Sequence, residues 1–213
     1  MKKVTLILLV LGINFSGFSQ NTASNVSIQE DYWETELTPL VEVNDMLRYI
    51  YSDPFKEQFI HTIPAGYPLK KDVDINSFYG FRNHPVHKVM IFHRGIDLKG
   101  TTGEKAIATG DGNVLETGFK VDLGNYIKIK HCYGFESIYG HLSRITVKKG
   151  QFVKRSQVIG EVGATGTVTG PHLHYTLKKN NHYIDPFDFL FMNFEKPSDS
   201  FGYTQPPKTI SEK

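Results

Sequence analysis

Cysteine is almost missing from this 213-residue chain, with Cys132 the only one. An intrachain disulfide and a CxxC metal site are thereby excluded, so any bound metal has to be held by histidines and carboxylates. A surplus of charge is missing too. The chain has 24 Lys and Arg against 22 Asp and Glu, and without Lys2 and Lys3 the 24 become 22, a balance of zero. That argues against a basic nucleic-acid surface, and no nucleic-acid partner is expected. Long apolar runs are also lacking. The one from Val4 to Ile13 falls short of the roughly 20 residues a bilayer demands. What is present suffices for a packed core: 39% of residues are hydrophobic and 22% charged, which excludes wholesale disorder.

The first residues, MKKVTLILLVLGINFSGFS, combine two lysines, a short apolar run and small residues. Gly17 and Ser19 fit the −3 and −1 positions of a secretory cleavage site, so residues 1–19 are expected to be a signal peptide and Gln20 the first mature residue. The mature protein is then expected to be exported, periplasmic or secreted, with no stable membrane anchor, and to act as a monomer. Residues 20–64 form a second segment of mixed character. Within it Asn44-Asp45 precedes Met46, Leu47, Ile50 and Tyr51, helix-start chemistry followed by an i, i+3, i+4 apolar face. Residues 65–190 change character, with turn residues separating short runs of β-formers at 113–117, 126–130, 137–141, 157–162 and 172–177. Tyr126-Ile127-Lys128-Ile129-Lys130 alternates with period two, as a half-buried strand does. Asn180-Asn181 reads as a hairpin turn. The body is therefore expected to be all-β, a compact antiparallel sandwich or open barrel. Residues 191–213, polar and proline-bearing, read as a disordered tail.

Three of the histidine groupings could carry chemistry. His93 and Asp97 are four apart, and Gly95 between them disfavours helix. In an extended segment positions i and i+4 point to one side, so the pair can converge from a strand; the alternative is a solvent-facing His and a turn Asp. His172 and His174 lie on one side of a strand while Leu173 enters the core, and the alternative is a surface pair without a ligand. His141 ends a β-run and reads as structural when taken by itself. The neighbouring run Gly163–Gly170 permits sharp turns, but no Gly-Lys-Ser/Thr or helix follows, so a phosphate cradle is excluded. Catalytic zinc takes three protein ligands and keeps a fourth position for water. Two histidines and a carboxylate meet that count, with two histidines left for acid–base work.

Four motifs in sequence order resemble the lysostaphin-type (LytM-like) zinc endopeptidases, which cut the peptides of bacterial peptidoglycan. Ser77-Phe78-Tyr79-Gly80-Phe81-Arg82-Asn83-His84-Pro85 is similar to the family's opening strand, and Phe92-His93-Arg94-Gly95-Ile96-Asp97-Leu98 to its HxxxD ligand motif. Ile138-Tyr139-Gly140-His141-Leu142-Ser143 resembles its YxHLS segment, and Gly166 to Tyr175 its TGPHLH motif. The resemblance runs from about 65 to 190. It implies a duplicated hybrid β motif, Zn²⁺ held by His93, Asp97 and His174, and His141 and His172 as the catalytic groups beside the attacking water. It implies peptidoglycan peptides as substrate. The bond is left open between a D-Ala–diaminopimelate cross-link and a glycyl bond, as is which histidine is the base. Thr176 departs from the family's frequent Glu and, since no ligand changes, is expected to matter little. His84 and His87 read as loop histidines, and His61, His131 and His182 match no motif.

Two rival functions follow from the same residues. Val147–Val153 and Gln157–Gly160 resemble the repeat of biotinyl and lipoyl carrier barrels, but Ala164-Thr165-Gly166 stands where a modifiable Lys is needed. A non-catalytic LytM-like activator of another wall hydrolase is the closer rival, yet such relatives typically lack the ligands present here. In this family an N-terminal segment sometimes resembles an inhibitory pro-region, so residues 20–64 are either such a cover or a structural brace.

Overall fold

The computed structural model describes residues 46, 50, 51, 60–69, 74–83 and 88–192. The signal-peptide reading, most of residues 20–64, His84, His87 and nearly all of the tail lie outside them. Among the described residues twelve strands follow one another: β1 (Ile75–Ser77), β2 (Gly80–Asn83), β3 (Met90–His93), β4 (Ile96–Lys99), β5 (Lys105–Ile107), β6 (Gly112–Lys120), β7 (Gly124–Lys130), β8 (Phe135–Ile145), β9 (Phe152–Val153), β10 (Val158–Val162), β11 (His172–Lys179) and β12 (His182–Ile184). All pairings are antiparallel. The main sheet runs β1-β4-β11-β8-β7-β6-β9, with β10 joining β5 and β8 and β12 joining β11, while β2 and β3 form a separate hairpin. The expected strands at 113–117, 126–130, 137–141, 157–162 and 172–177 fall within β6, β7, β8, β10 and β11. Asn180 and Asn181, at φ 47° and 65°, make the turn between β11 and β12. Two successive positive φ values suit the twist of a tight hairpin, and Asn tolerates them best after Gly.

Alternation along two neighbouring strands sets the plan. On β11, Leu173, Tyr175 and Leu177 are fully buried in the core, leaving His172, His174 and Thr176 on the other face. On β4, Ile96 and Leu98 enter the core and Asp97 faces the opposite way. β8 divides. Up to Gly140 it pairs with β11, and from Leu142 it pairs with β10. His141 sits at the division with φ 60°, where β8 carries one more residue than β7 between Ile127↔Tyr139 and Asn125↔Leu142. This is a β-bulge, a device that re-aims a side chain.

Met46, Ile50 and Tyr51 are helical, and Met46 and Ile50 join the core with Ile60 and Ile63. Behind the sheet lies a buried polar chain. Thr109 Oγ1 is 3.0 Å from Tyr139 Oη and 2.8 Å from Tyr175 Oη. Tyr139 continues to Ser137 Oγ at 3.2 Å, and Ser137 to His131 Nε2 at 2.7 Å. His131 Nδ1 donates to the Asp111 carbonyl at 2.8 Å. His131, which matches no motif, is a satisfied core histidine. Among the described residues no helix is long and apolar enough to cross a membrane.

Burial holds His131 at about 4, with Arg155 acting the same way and Asp111 opposing. The unfolded chain takes up that proton near 6.5. The folded state therefore loses stability as pH falls from about 6.5 to about 4, by about 3 kcal/mol at most from this residue. Urea unfolding at several pH values should show a steeper loss across this window for the wild type than for His131→Asn. Parallel curves would mean that His131 is protonated without strain.

Candidate metal centre

His93, Asp97 and His174 come together at the floor of a cleft of about 640 Å³ whose lining also includes Arg82, Phe92, His141 and His172. The register does most of this. Asp97 and His174 are direct partners across β4 and β11, and His174 is the direct partner of Gly140 on β8. His93 and Asp97 do not converge from one extended segment as their spacing suggests. His93 ends β3 in the hairpin and Asp97 lies in β4 of the main sheet, so they do not project from one strand. The chain crosses between sheets at Arg94-Gly95, and a Cβ on Gly95 would lie 2.5 Å from the Tyr175 carbonyl, 2.6 Å from Thr176 Oγ1 and 2.9 Å from His174 Cε1. Only glycine lets β4 approach β11 this closely here.

The three donor atoms are His93 Nε2, Asp97 Oδ1 and His174 Nδ1. They lie 3.1 Å (His93–His174), 3.1 Å (His93–Asp97) and 2.8 Å (His174–Asp97) apart. Ligands at about 2.0–2.1 Å from a tetrahedral zinc are about 3.3 Å from one another, slightly more than these separations. Hydrogen bonding alone accounts poorly for the cluster. His93 Nδ1 donates to the Phe78 carbonyl at 2.8 Å, which leaves neutral Nε2 bare against a carboxylate oxygen. With His174 Nε2–H donating to Thr176 Oγ1 at 3.0 Å, Nδ1 is bare as well. Two lone pairs and a carboxylate oxygen converging on one point form a donor set for a cation.

Electrostatics point the same way. Burial alone would raise the Asp97 carboxyl, but the adjoining His174 and His93 imidazoles outweigh it and hold the group well below the usual carboxylate range. Burial lowers the proton affinity of His174 against the pull of Asp97. An ionised carboxylate beside a proton-averse imidazole matches the protonation that metal binding requires.

His141 and His172 stand alongside with ring centroids 4.7 Å apart. Each is oriented by a backbone carbonyl: His141 Nδ1 donates to Thr165 O and His172 Nδ1 to Gly170 O, both at 2.9 Å. His172 Nε2 is 3.6 Å from Asp97 Oδ1. Burial brings His141 down to about 4, helped by the nearby His174 and His172 and opposed by Thr165 and Asp97. His61 and His182 are exposed.

Four further residues shape the site. Gly95 sets the strand approach. Thr165 holds His141 through its carbonyl, and its hydroxyl donates to the Leu142 carbonyl at 2.9 Å. Thr176, expected to matter little, contacts His174, so the departure from Glu falls on a partner that orients a ring. Arg82 Nη2 lies 3.1 Å from Asp97 Oδ2. Gly95, Thr165 and Arg82 gave faint signals because each meets a partner far away in sequence, whereas Thr176 lies only two residues from His174 on the same face of β11.

Residues 91–186 match a family described as Peptidase family M23. The peptidoglycan DD-endopeptidase ShyB of Vibrio cholerae is 42% identical over 104 residues, 49% of this chain and 24% of that protein. The structure of a zinc-containing peptidase from Vibrio cholerae is 40% identical, with TM-score 0.53, over 58% of this chain and 39% of the other. The catalytic domain of lysostaphin from Staphylococcus simulans is 31% identical, with TM-score 0.51, over 55% of this chain and 92% of that domain. The chain spans 24% to 29% of the length of the first curated relatives it matches.

Metal analysis of purified variants tests the donor set. Asp97→Ala and His174→Ala should each lose most bound metal, and His141→Ala should keep it. Gly95→Ala should weaken binding although it removes no donor. Full metal occupancy in Asp97→Ala, or an empty site in His141→Ala, would require another set of ligands.

Proposed function

The chain belongs to peptidase family M23, and on that premise we propose that it is a zinc-dependent endopeptidase hydrolysing peptide bonds in peptidoglycan stem peptides or cross-bridges. The observation that carries the reading is the convergence of His93 Nε2, Asp97 Oδ1 and His174 Nδ1 in a cleft that also holds two further histidines. Zinc held by these three residues would supply the Lewis acidity that polarises a scissile carbonyl and makes water a competent nucleophile near neutral pH. His141 and His172 supply the proton traffic. With Nδ1 of each tied to a carbonyl, Nε2 is free to accept the proton of the attacking water and return one to the departing amine. Deep placement of His141 keeps it neutral over the physiological range. A DD-endopeptidase relative favours the cross-link between stem peptides over a glycyl bond. Action on peptidoglycan implies work outside the cytoplasm.

We read the part of residues 20–64 that joins the core as a brace. Met46, Ile50, Ile60 and Ile63 are buried, and among the described residues none before Asn76 lines the cleft. Arg155 donates to the carbonyls of Ile60 and Ile63, and Ala65 N donates to Thr109 O at 3.0 Å. Each buried aliphatic contributes about 1.5–3 kcal/mol. Losing three of them is comparable with the roughly 5–15 kcal/mol that stabilises a whole domain.

Mass spectrometry of muropeptides released from purified sacculi tests the activity. Cross-linked dimers should fall and monomers rise, chelation should stop the change, and His172→Ala should slow it by about 10²–10⁴-fold. Intact cross-links with a metal-loaded protein would overturn the reading. Separately, a chain starting at Ile63 should melt far lower than the parent and lose activity, whereas a gain in activity would make the segment an inhibitory cover.

A further inference from the structure

Asp97 divides its two oxygens between different tasks. Oδ1 faces His93, His174 and, at 3.6 Å, His172. Oδ2 faces Arg82 Nη2 at 3.1 Å. The two residues come from different sheets: Arg82 lies on β2 of the hairpin, opposite Ile91, and Asp97 on β4 of the main sheet. Arg82 is not placed here to satisfy its own polar groups, because Nε is buried with no hydrogen-bond partner among the described residues. A buried N–H left unmade is costly. The arrangement is tolerated because of the ion pair it makes, and Asp97, with a side chain only 8% exposed, has little water to take Arg82's place.

We propose that Arg82 is a positioning residue that holds Asp97 to single-oxygen ligation, a proposal that rests on His93, Asp97 and His174 being the metal ligands. A carboxylate can bind a metal through one oxygen or both. Three protein ligands leave a tetrahedral zinc one position for water or substrate. A second Asp97 oxygen swinging inward would crowd that position. By engaging Oδ2, Arg82 keeps the carboxylate turned so that Oδ1 alone faces the site. The same contact pins the β2–β3 hairpin, whose Ile91 and Phe92 line the cleft, to the metal centre. The guanidinium charge also repels a divalent cation, so two effects on affinity oppose each other. Orienting partners of metal ligands are typically worth about 10–100-fold in affinity, and the orienting effect is the one expected to win.

The test uses the full chain stripped of metal and titrated with Co²⁺ against a competing chelator, for wild type, Arg82→Met and Arg82→Lys. Circular dichroism and melting establish that each variant is folded. The wild type should bind one Co²⁺ with the intense visible absorption of four-coordinate cobalt. Arg82→Met should bind about 10–100-fold more weakly, with a weaker and shifted band reporting a higher coordination number. Lysine keeps the charge but its single Nζ falls short of the place Nη2 occupies, so Arg82→Lys should also show the altered band. A Met variant with an unchanged spectrum, or with tighter binding, would overturn the proposal. So would a wild-type spectrum in Arg82→Lys, which carries the test alone if the Met variant does not fold. A wild type that takes up no Co²⁺ would instead remove the metal-site reading on which the proposal stands.

Discussion

The strand register at His174 is the constraint on which the site depends. This residue is paired with Asp97 on one side and with Gly140, immediately before His141, on the other. Three adjacent strands thus deliver one donor imidazole, one carboxylate and one non-ligating histidine to a single point. The register is enforced from the opposite face, where Leu173, Tyr175 and Leu177 are fully buried. Slipping β11 by one residue would turn those three side chains outward and drive His172 and His174 into the core. Tyr175 adds a polar check, because its hydroxyl meets Thr109 at 2.8 Å and would be stranded by any shift.

Backbone carbonyls then do what side chains do in many metal sites. Phe78 O, Thr165 O and Gly170 O each accept from the Nδ1 of one histidine, namely His93, His141 and His172. A carbonyl cannot donate, so it fixes the tautomer as well as the ring orientation. His174 is the exception. Its ring is turned the other way, presenting Nδ1 to Asp97 while Nε2 meets the Thr176 hydroxyl. His141 bears the conformational cost of this plan, since its positive φ is uncommon for a non-glycine residue. The bulge it occupies lets one edge of β8 serve two partners in turn, β11 and β10, and such local strain concentrates where function needs it.

The strands were legible because the hydrophobic alternation of Tyr126–Lys130 and His172–Leu177 is local, and so was the Asn180-Asn181 turn. The pairing of His172 with His174 on one face needed only the period of a strand. The meeting of His93 with Asp97 was reached by the wrong route: a spacing of four suggested one strand, whereas the chain changes sheets at Gly95. Nothing in a linear pattern reports that a glycine lies 2.5 Å, by its missing Cβ, from a carbonyl eighty residues away. Arg82 and Thr165 were hidden for the same reason. Each acts through a partner placed by tertiary structure, and an Arg in a β-run or a Thr in a glycine-rich loop has many bland explanations.

The central claim is that a single metal ion is bound by one nitrogen of His93, one oxygen of Asp97 and one nitrogen of His174. Anomalous diffraction at the zinc absorption edge, from crystals of the zinc-loaded protein, tests it most directly. The account predicts one strong peak about 2.0–2.1 Å from His93 Nε2, Asp97 Oδ1 and His174 Nδ1, with His141 and His172 outside bonding distance. A peak ligated by His141 or His172 in place of one of the three, or no peak in the cleft, would contradict it.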